Sequence, residues 1–162
     1  MTRFIVRPAT QADIDDVVRL SHGLFLEDSG VRDPTTNTDW PLREGHAYFS
    51  SFINDGQSLL LVTGSSGEVN GYLAGRLRAA TSFRPIVVAE LESVFVAPAN
   101  RGSGIGTALT AAFFSWAEAS GADRTQVTAH AENAAAIRLY ERVGFRPYHL
   151  TLQRTLVAHA FG

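Results

Sequence analysis

The 162-residue chain contains no cysteine. That excludes disulfides, thiolate metal sites and any route through an acyl-cysteine. It also lacks a dominant charge: 14 Lys+Arg against 16 Asp+Glu leave a formal net charge of -2. With no basic run, neither nucleic acid nor a membrane surface is expected as a partner. No apolar run approaches the roughly 20 residues of a spanning helix. The stretch from Met1 to Pro8 has no signal-peptide core, so a cytoplasmic protein is expected. His22, His46, His130, His149 and His159 show no ligand spacing, and no metal is expected. Repeats and low-complexity tracts are absent too.

What is present reads as one domain over residues 1–162, with 45% hydrophobic and 19% charged residues. Its most informative stretch is Arg101-Gly102-Ser103-Gly104-Ile105-Gly106-Thr107. Residues 87–96 are mostly β-branched or apolar and predict a buried strand. After the glycines, Ile105, Leu109, Ala112, Phe113 and Trp116 recur at helical spacing. The glycines therefore fall where a strand turns into a helix. There the first-turn N–H groups have no internal acceptor, and the helix dipole favours an anion. This predicts a pyrophosphate cradle with Arg101 at its rim. The spacing G-x-G-x-G is not the dinucleotide G-x-G-x-x-G, and no Lys-Ser/Thr pair follows as a P-loop requires. A tight strand-to-helix turn would use the same glycines.

In chain order, a short strand is expected at 4–6, stopped by Pro8. Thr10 then caps a helix over 11–24 with Ile14, Val17, Val18 and Leu20 or Ser21 inward, and Asp13, Asp15 and Asp16 suit its dipole. Residues 27–45 predict a long loop, and 42–54 a helix placing Tyr48, Phe49, Phe52 and Ile53 on the core. Segments 58–63 and 69–77 read as a hairpin. A helix over 104–120 ends at Gly121, and a strand follows at 125–129. Strand, helix and strand need a crossover, so this strand lies parallel to 87–96. Asn133 caps a last helix whose Ala136, Ile137, Tyr140 and Val143 form one stripe, and Gly144 ends it. Residues 145–156 alternate loosely as one or two final strands. The fold class is α/β with a mixed sheet.

Taken together, Arg101-x-x-Gly104-x-Gly106 after a strand and the segment from Asn133 through Tyr140 to Phe145 resemble the GCN5-related N-acetyltransferase (GNAT) superfamily. The first segment is similar to its acetyl-CoA motif A and the second to its motif B. The run Ile5-Val6-Arg7-Pro8-Ala9-Thr10 is similar to the family's start. The resemblance implies a mostly antiparallel central sheet with one splayed parallel pair, flanked by helices, and acetyl-CoA as co-substrate. The pantetheine arm would lie in the wedge, pairing with backbone at Phe95 and Val96. The pyrophosphate would sit on the N–H groups of Gly102, Ser103, Gly104, Ile105, Gly106 and Thr107. Arg101 falls on the family's Arg/Gln position. Asn133 falls where an asparagine commonly touches the pantetheine, and Ala136 is placed with it among the coenzyme-binding residues.

Acetyl transfer to an amine needs a neutral amine, a stabilised oxyanion and a proton for the departing thiolate. Tyr140 matches the family's general acid; a phenol of pKa about 10 is close to a thiolate in basicity. It also lies on an apolar stripe, where it could be core with a hydrogen-bonded hydroxyl. Glu90 and Glu92, two apart on a strand, point to one face, with Leu91 and Ser93 on the other. Glu92 matches the base of polyamine-type members and Glu90 that of histone-type members. At a pKa of about 4.3, either acts through ordered water or after desolvation. An ion pair to Arg76 or Arg78 is the alternative role for both.

The expected activity is direct acetyl transfer to a primary amine of a small molecule (polyamine, aminoglycoside, amino acid) or of a protein. The acidic Glu27, Asp28, Asp33 and Asp39 would suit a cationic acceptor or simply be solvated. A non-catalytic CoA-binding sensor and a nucleotide-binding α/β domain are the rival readings. A homodimer is compatible with the resemblance.

Overall fold

The computed structural model describes residues 4–157. Five strands form one sheet in chain order: β1 (Val6–Pro8), β2 (Ser58–Thr63), β3 (Gly71–Arg78), β4 (Val88–Val96) and β5 (Arg124–Val127). β1 to β4 pair antiparallel, and β4 and β5 pair parallel across the crossover helix α4 (Ile105–Ala119). The expected mixed, mostly antiparallel α/β architecture is what forms.

Both faces of the sheet are covered, so its central strands are apolar at consecutive positions instead of alternate ones. On one face Leu60, Val62, Tyr72 and Phe95 meet Ile14, Val17 and Leu20 of α1 (Ile14–Leu24). Phe49 of α3 (Trp40–Ser50) and Phe52 just beyond it complete that cluster. On the other face Leu61, Leu73 and Leu91 meet Leu109, Phe113 and Ala117 of α4. The last helix, α5 (Ala134–Arg142), begins at Asn133, whose Oδ1 accepts from the Ala136 N–H at 3.1 Å. Gly121 and Gly144, at φ of 76° and 108°, follow α4 and α5 in the left-handed conformation that favours glycine there.

Four local expectations are corrected. Pro8 lies within β1 and does not stop it, because an edge strand tolerates a residue with no N–H. Asp13 is not a surface dipole partner. It is buried, and its carboxylate accepts from both Arg7 Nη atoms at 2.8 Å, the Thr10 N–H at 2.8 Å and the Ser66 hydroxyl at 2.7 Å.

The long loop expected at 27–45 is mostly helical. α1 runs on through a π-helical turn (Phe25–Ser29) into α2 (Gly30–Arg32), leaving 33–39 irregular before α3. Gly30 reads as a breaker but serves close packing, since a Cβ there would clash with Thr38 Cγ2. Last, residues 146–157 form no strand.

Candidate active site

Pairing between β4 and β5 runs from Val88↔Arg124 to Leu91↔Val127 and stops. Residues 92–96 therefore have no partner on β5, and one main-chain edge of β4 is unpaired there. Phe95 and Val96 stand in that open part. Beyond it the chain makes a 3-10 turn (Pro98–Asn100) and enters the glycine loop. Gly102 and Gly104 have φ of 76° and 88°, which curl the main chain toward the start of α4. Ser103 is held by its hydroxyl donating to the Asn100 carbonyl at 2.7 Å.

The first bond of the α4 ladder is Ala108 N–H to the Gly104 carbonyl at 3.0 Å, and among the described residues no N–H from Gly102 to Thr107 donates to a main-chain carbonyl. A Cβ built on Gly102 would meet nothing within 4 Å. Orphan donors, open space and a helix N-terminus together fit a phosphate group.

Arg101 closes the rim. Its Nε donates to the Val96 carbonyl at 2.9 Å, and its Nη atoms donate to both Glu27 oxygens at 2.6 and 2.8 Å. Its guanidinium also lies 5.1 Å from the Phe95 ring centroid. Asn133 uses its Nδ2 to donate to Asp28 at 3.0 Å. The π-helical turn thus contributes neighbouring carboxylates to both Arg101 and Asn133. The hydrogen bond from Arg101 holds the Glu27 carboxyl below its ordinary range. Tyr140, partly buried on α5, meets Phe145 edge-on with centroids 5.8 Å apart. Burial, and then the Asp28 charge, push its phenol up to about 12.

A cavity of about 300 Å³ adjoins β4 and is lined by Ser21, Phe25, Trp40, Tyr48, Phe49, Glu92 and Ser93. Trp40 stacks on Phe25 at 5.9 Å and meets Tyr48 edge-on at 5.2 Å. A β-bulge brings Glu92 there: Gly75 pairs with Leu91 and Ala74 with Ser93, so Glu92 has no cross-strand partner. The bulge resets the alternation, which is why Ser93 lines the cavity with Glu92 instead of taking the opposite face. The Tyr48 hydroxyl donates to Glu92 Oε2, and this bond adds to burial in raising the Tyr48 phenol above its usual range. Glu92 Oε1 faces Arg78 Nη2 at 3.4 Å and Arg76 Nε at 3.8 Å. Glu90 is bound by Arg78 Nε at 2.8 Å and does not line the cavity. The ion pairs considered for these two glutamates are thus both made, and only Glu92 also reaches the cavity.

Arg76 and Arg78 are the partners expected for the glutamates, whereas Tyr48, expected on the core, also lines the cavity and donates to Glu92, and Trp40 carries no signal in the sequence. Glu27 and Asp28 read only as acidic scatter in the sequence, because their partners Arg101 and Asn133 lie 74 and 105 residues away. Among the described residues no group of three His, Asp or Glu could hold a metal. His159 lies outside the described residues. No described helix is long and apolar enough to cross a membrane.

A glycine-opened helix N-terminus thus lies beyond the unpaired end of β4, and a cavity lined by a carboxylate lies beside that strand. The profile of the Acetyltransferase (GNAT) family matches residues 28–145, and the chain belongs to that family as an N-acetyltransferase. An L-methionine sulfoximine/L-methionine sulfone acetyltransferase of Pseudomonas aeruginosa is 28% identical over 158 residues, 97% of this chain and 87% of that one. An acetyltransferase of Trypanosoma brucei shares the fold at a TM-score of 0.70 and 17% identity, over 95% of this chain and 100% of that one. So does an aminoglycoside N-acetyltransferase in complex with CoA, at a TM-score of 0.70 and 16% identity, over 94% and 100%.

Proposed function

We propose that the protein transfers the acetyl group of acetyl-CoA directly to the primary amine of a small α-amino acid held in the aromatic cavity. The observation that carries this reading is the bulge at Glu92. It turns a carboxylate into the cavity from the strand whose next residues wall the coenzyme wedge. In that position Glu92 takes the amine proton through a water molecule. The amine nitrogen bonds to the thioester carbon, an N–H of the open β4 edge holds the oxygen, and the C–S bond breaks. Tyr140 returns a proton to the thiolate, giving an N-acetyl product and CoA. Gly102 to Thr107 and Arg101 would hold the diphosphate, and Asn133 the pantetheine.

The acceptor class rests on the charges around the cavity. One carboxylate lines it while two guanidinium groups stand beside that carboxylate. Arg76, stacked 4.6 Å over Phe52, has a buried Nε without a hydrogen-bond partner among the described residues. A polycation finds little there. A zwitterion finds Glu92 for its amine and Arg76 or Arg78 for its carboxylate. The Pseudomonas relative, named for two α-amino acids, supports the same class.

A thiol-release screen of α-amino acids, their decarboxylated amines, polyamines and aminoglycosides tests this. An apolar or thioether-derived amino acid should exceed its decarboxylated counterpart in kcat/KM, and Arg76→Gln should erase that preference. Faster turnover of a polyamine or an aminoglycoside would overturn the acceptor assignment. The absence of thiol release with any amine would overturn the transferase reading.

A further inference from the structure

Among the described residues, two buried side-chain atoms have no hydrogen-bond partner: the Tyr72 hydroxyl and Arg76 Nε. Both residues belong to β3, and both face the α1 and α3 side of the sheet, Tyr72 in the core there and Arg76 over Phe52. Four positions separate them, which on a strand is about 13 Å. Arg76 stands beside Glu92 at one end of the aromatic cavity.

Tyr72 is fully buried, and its ring meets Phe49 edge-on with centroids 5.7 Å apart. Its polar neighbours are the hydroxyls of Ser93 and Ser21, and these two residues line the cavity, as Phe49 does. Burial raises the phenol above its ordinary range. The two serines offset part of that rise, yet neither completes a hydrogen bond to it. A buried hydroxyl without a partner carries a desolvation cost that phenylalanine, of nearly the same shape, would avoid. The core therefore gains nothing from this hydroxyl, and its proton is directed at no group of the fold.

The three hydroxyls come from three elements, Tyr72 from β3, Ser93 from β4 and Ser21 from α1. None carries a charge, so an ionised group among them would be desolvated without a counter-charge from them. A phenol donates readily, and serine hydroxyls rotate to donate or accept. Such a set fits an uncharged oxygen. Ser93 also follows Glu92 directly on β4, which ties this polar corner to the carboxylate.

We propose that Tyr72, Ser21 and Ser93 form a subsite for the far end of the acceptor's side chain. It selects α-amino acids that end in an uncharged hydrogen-bond acceptor. This rests on the reading that Glu92 meets the acceptor's amine and Arg76 or Arg78 its carboxylate. Those groups fix one end of the molecule, and the hydroxyls read the other.

Thiol release with glutamine and with norleucine, side chains of equal length, tests the subsite. Glutamine should exceed norleucine about tenfold in kcat/KM. Tyr72→Phe should erase that ratio and melt no lower than the wild type, and Ser93→Ala should reduce the ratio. The preference for norleucine over pentylamine, which belongs to Arg76, should survive in Tyr72→Phe. Equal kcat/KM for the two amino acids, or a ratio that both variants leave intact, would overturn the subsite while the acceptor class stands. A lower melting temperature in Tyr72→Phe would show the hydroxyl bonded within the fold and overturn it too. No thiol release with either amino acid would overturn the acceptor class, and the subsite with it.

Discussion

Tyr140 keeps its proton across the whole working range of an enzyme, since burial and the Asp28 charge raise its phenol to about 12. An acid must be protonated to act, so an alkaline limb set by Tyr140 would lie near that value. Tyr140→Phe should lower kcat by about 10²–10⁴ while leaving CoA affinity and any limb below pH 10 in place. Unchanged kcat would remove Tyr140 from the reaction and leave it a core residue of α5.

Asp13 shows the same physics used for stability. Its buried carboxylate is held far below the usual range, first by the hydrogen bonds from Arg7, and also by those from Thr10 and Ser66. Asp13→Ala should cost about 3–5 kcal/mol at pH 7, the usual cost of leaving a buried pair half-made. The folded carboxyl binds its proton less tightly than the unfolded one. The stabilisation is therefore complete above the unfolded pKa of about 4 and is lost as pH falls toward the folded value. Urea midpoints of both proteins from pH 7 downward should converge below pH 4; a gap that persisted unchanged would mean that the carboxylate's charge plays no part. Asp13 was visible in the sequence as an acid near a helix start. Its inward role was not, because Ser66 lies 53 residues away.

At the scale of elements, the π-helical turn and the glycine loop face one another. Glu27 occupies the guanidinium that the coenzyme diphosphate would use, with both groups roughly half exposed. An exposed pair of this kind is worth about 0–1 kcal/mol. Glu27→Gln should accordingly tighten CoA binding by about two- to fivefold in a calorimetric titration. Weaker binding would show that Glu27 shapes the cleft instead of competing for Arg101.

The glycine loop itself was legible. Gly102 and Gly104 take positive φ where spacing and the following helix placed a turn. The turn opposite was not, because an apolar period broken by Gly30 reads as a loop until Thr38 packs where a Cβ would sit.

Across the whole molecule, two cores pack on opposite faces of one sheet, and β4 carries the Glu92 carboxylate at its bulge and the unpaired edge beyond Leu91.

Local order came from the sequence alone. Apolar periods placed the helices and the hairpin, glycines marked their ends, and a strand-helix-strand order required one parallel pair, because each depends on neighbours a few residues apart. Tertiary structure decided which of two glutamates faces a cavity, what Asp13 and Glu27 hold, and that the last apolar alternation finds no strand in its own chain. Those outcomes turn on a one-residue bulge and on contacts between distant segments, and a sequence pattern records neither.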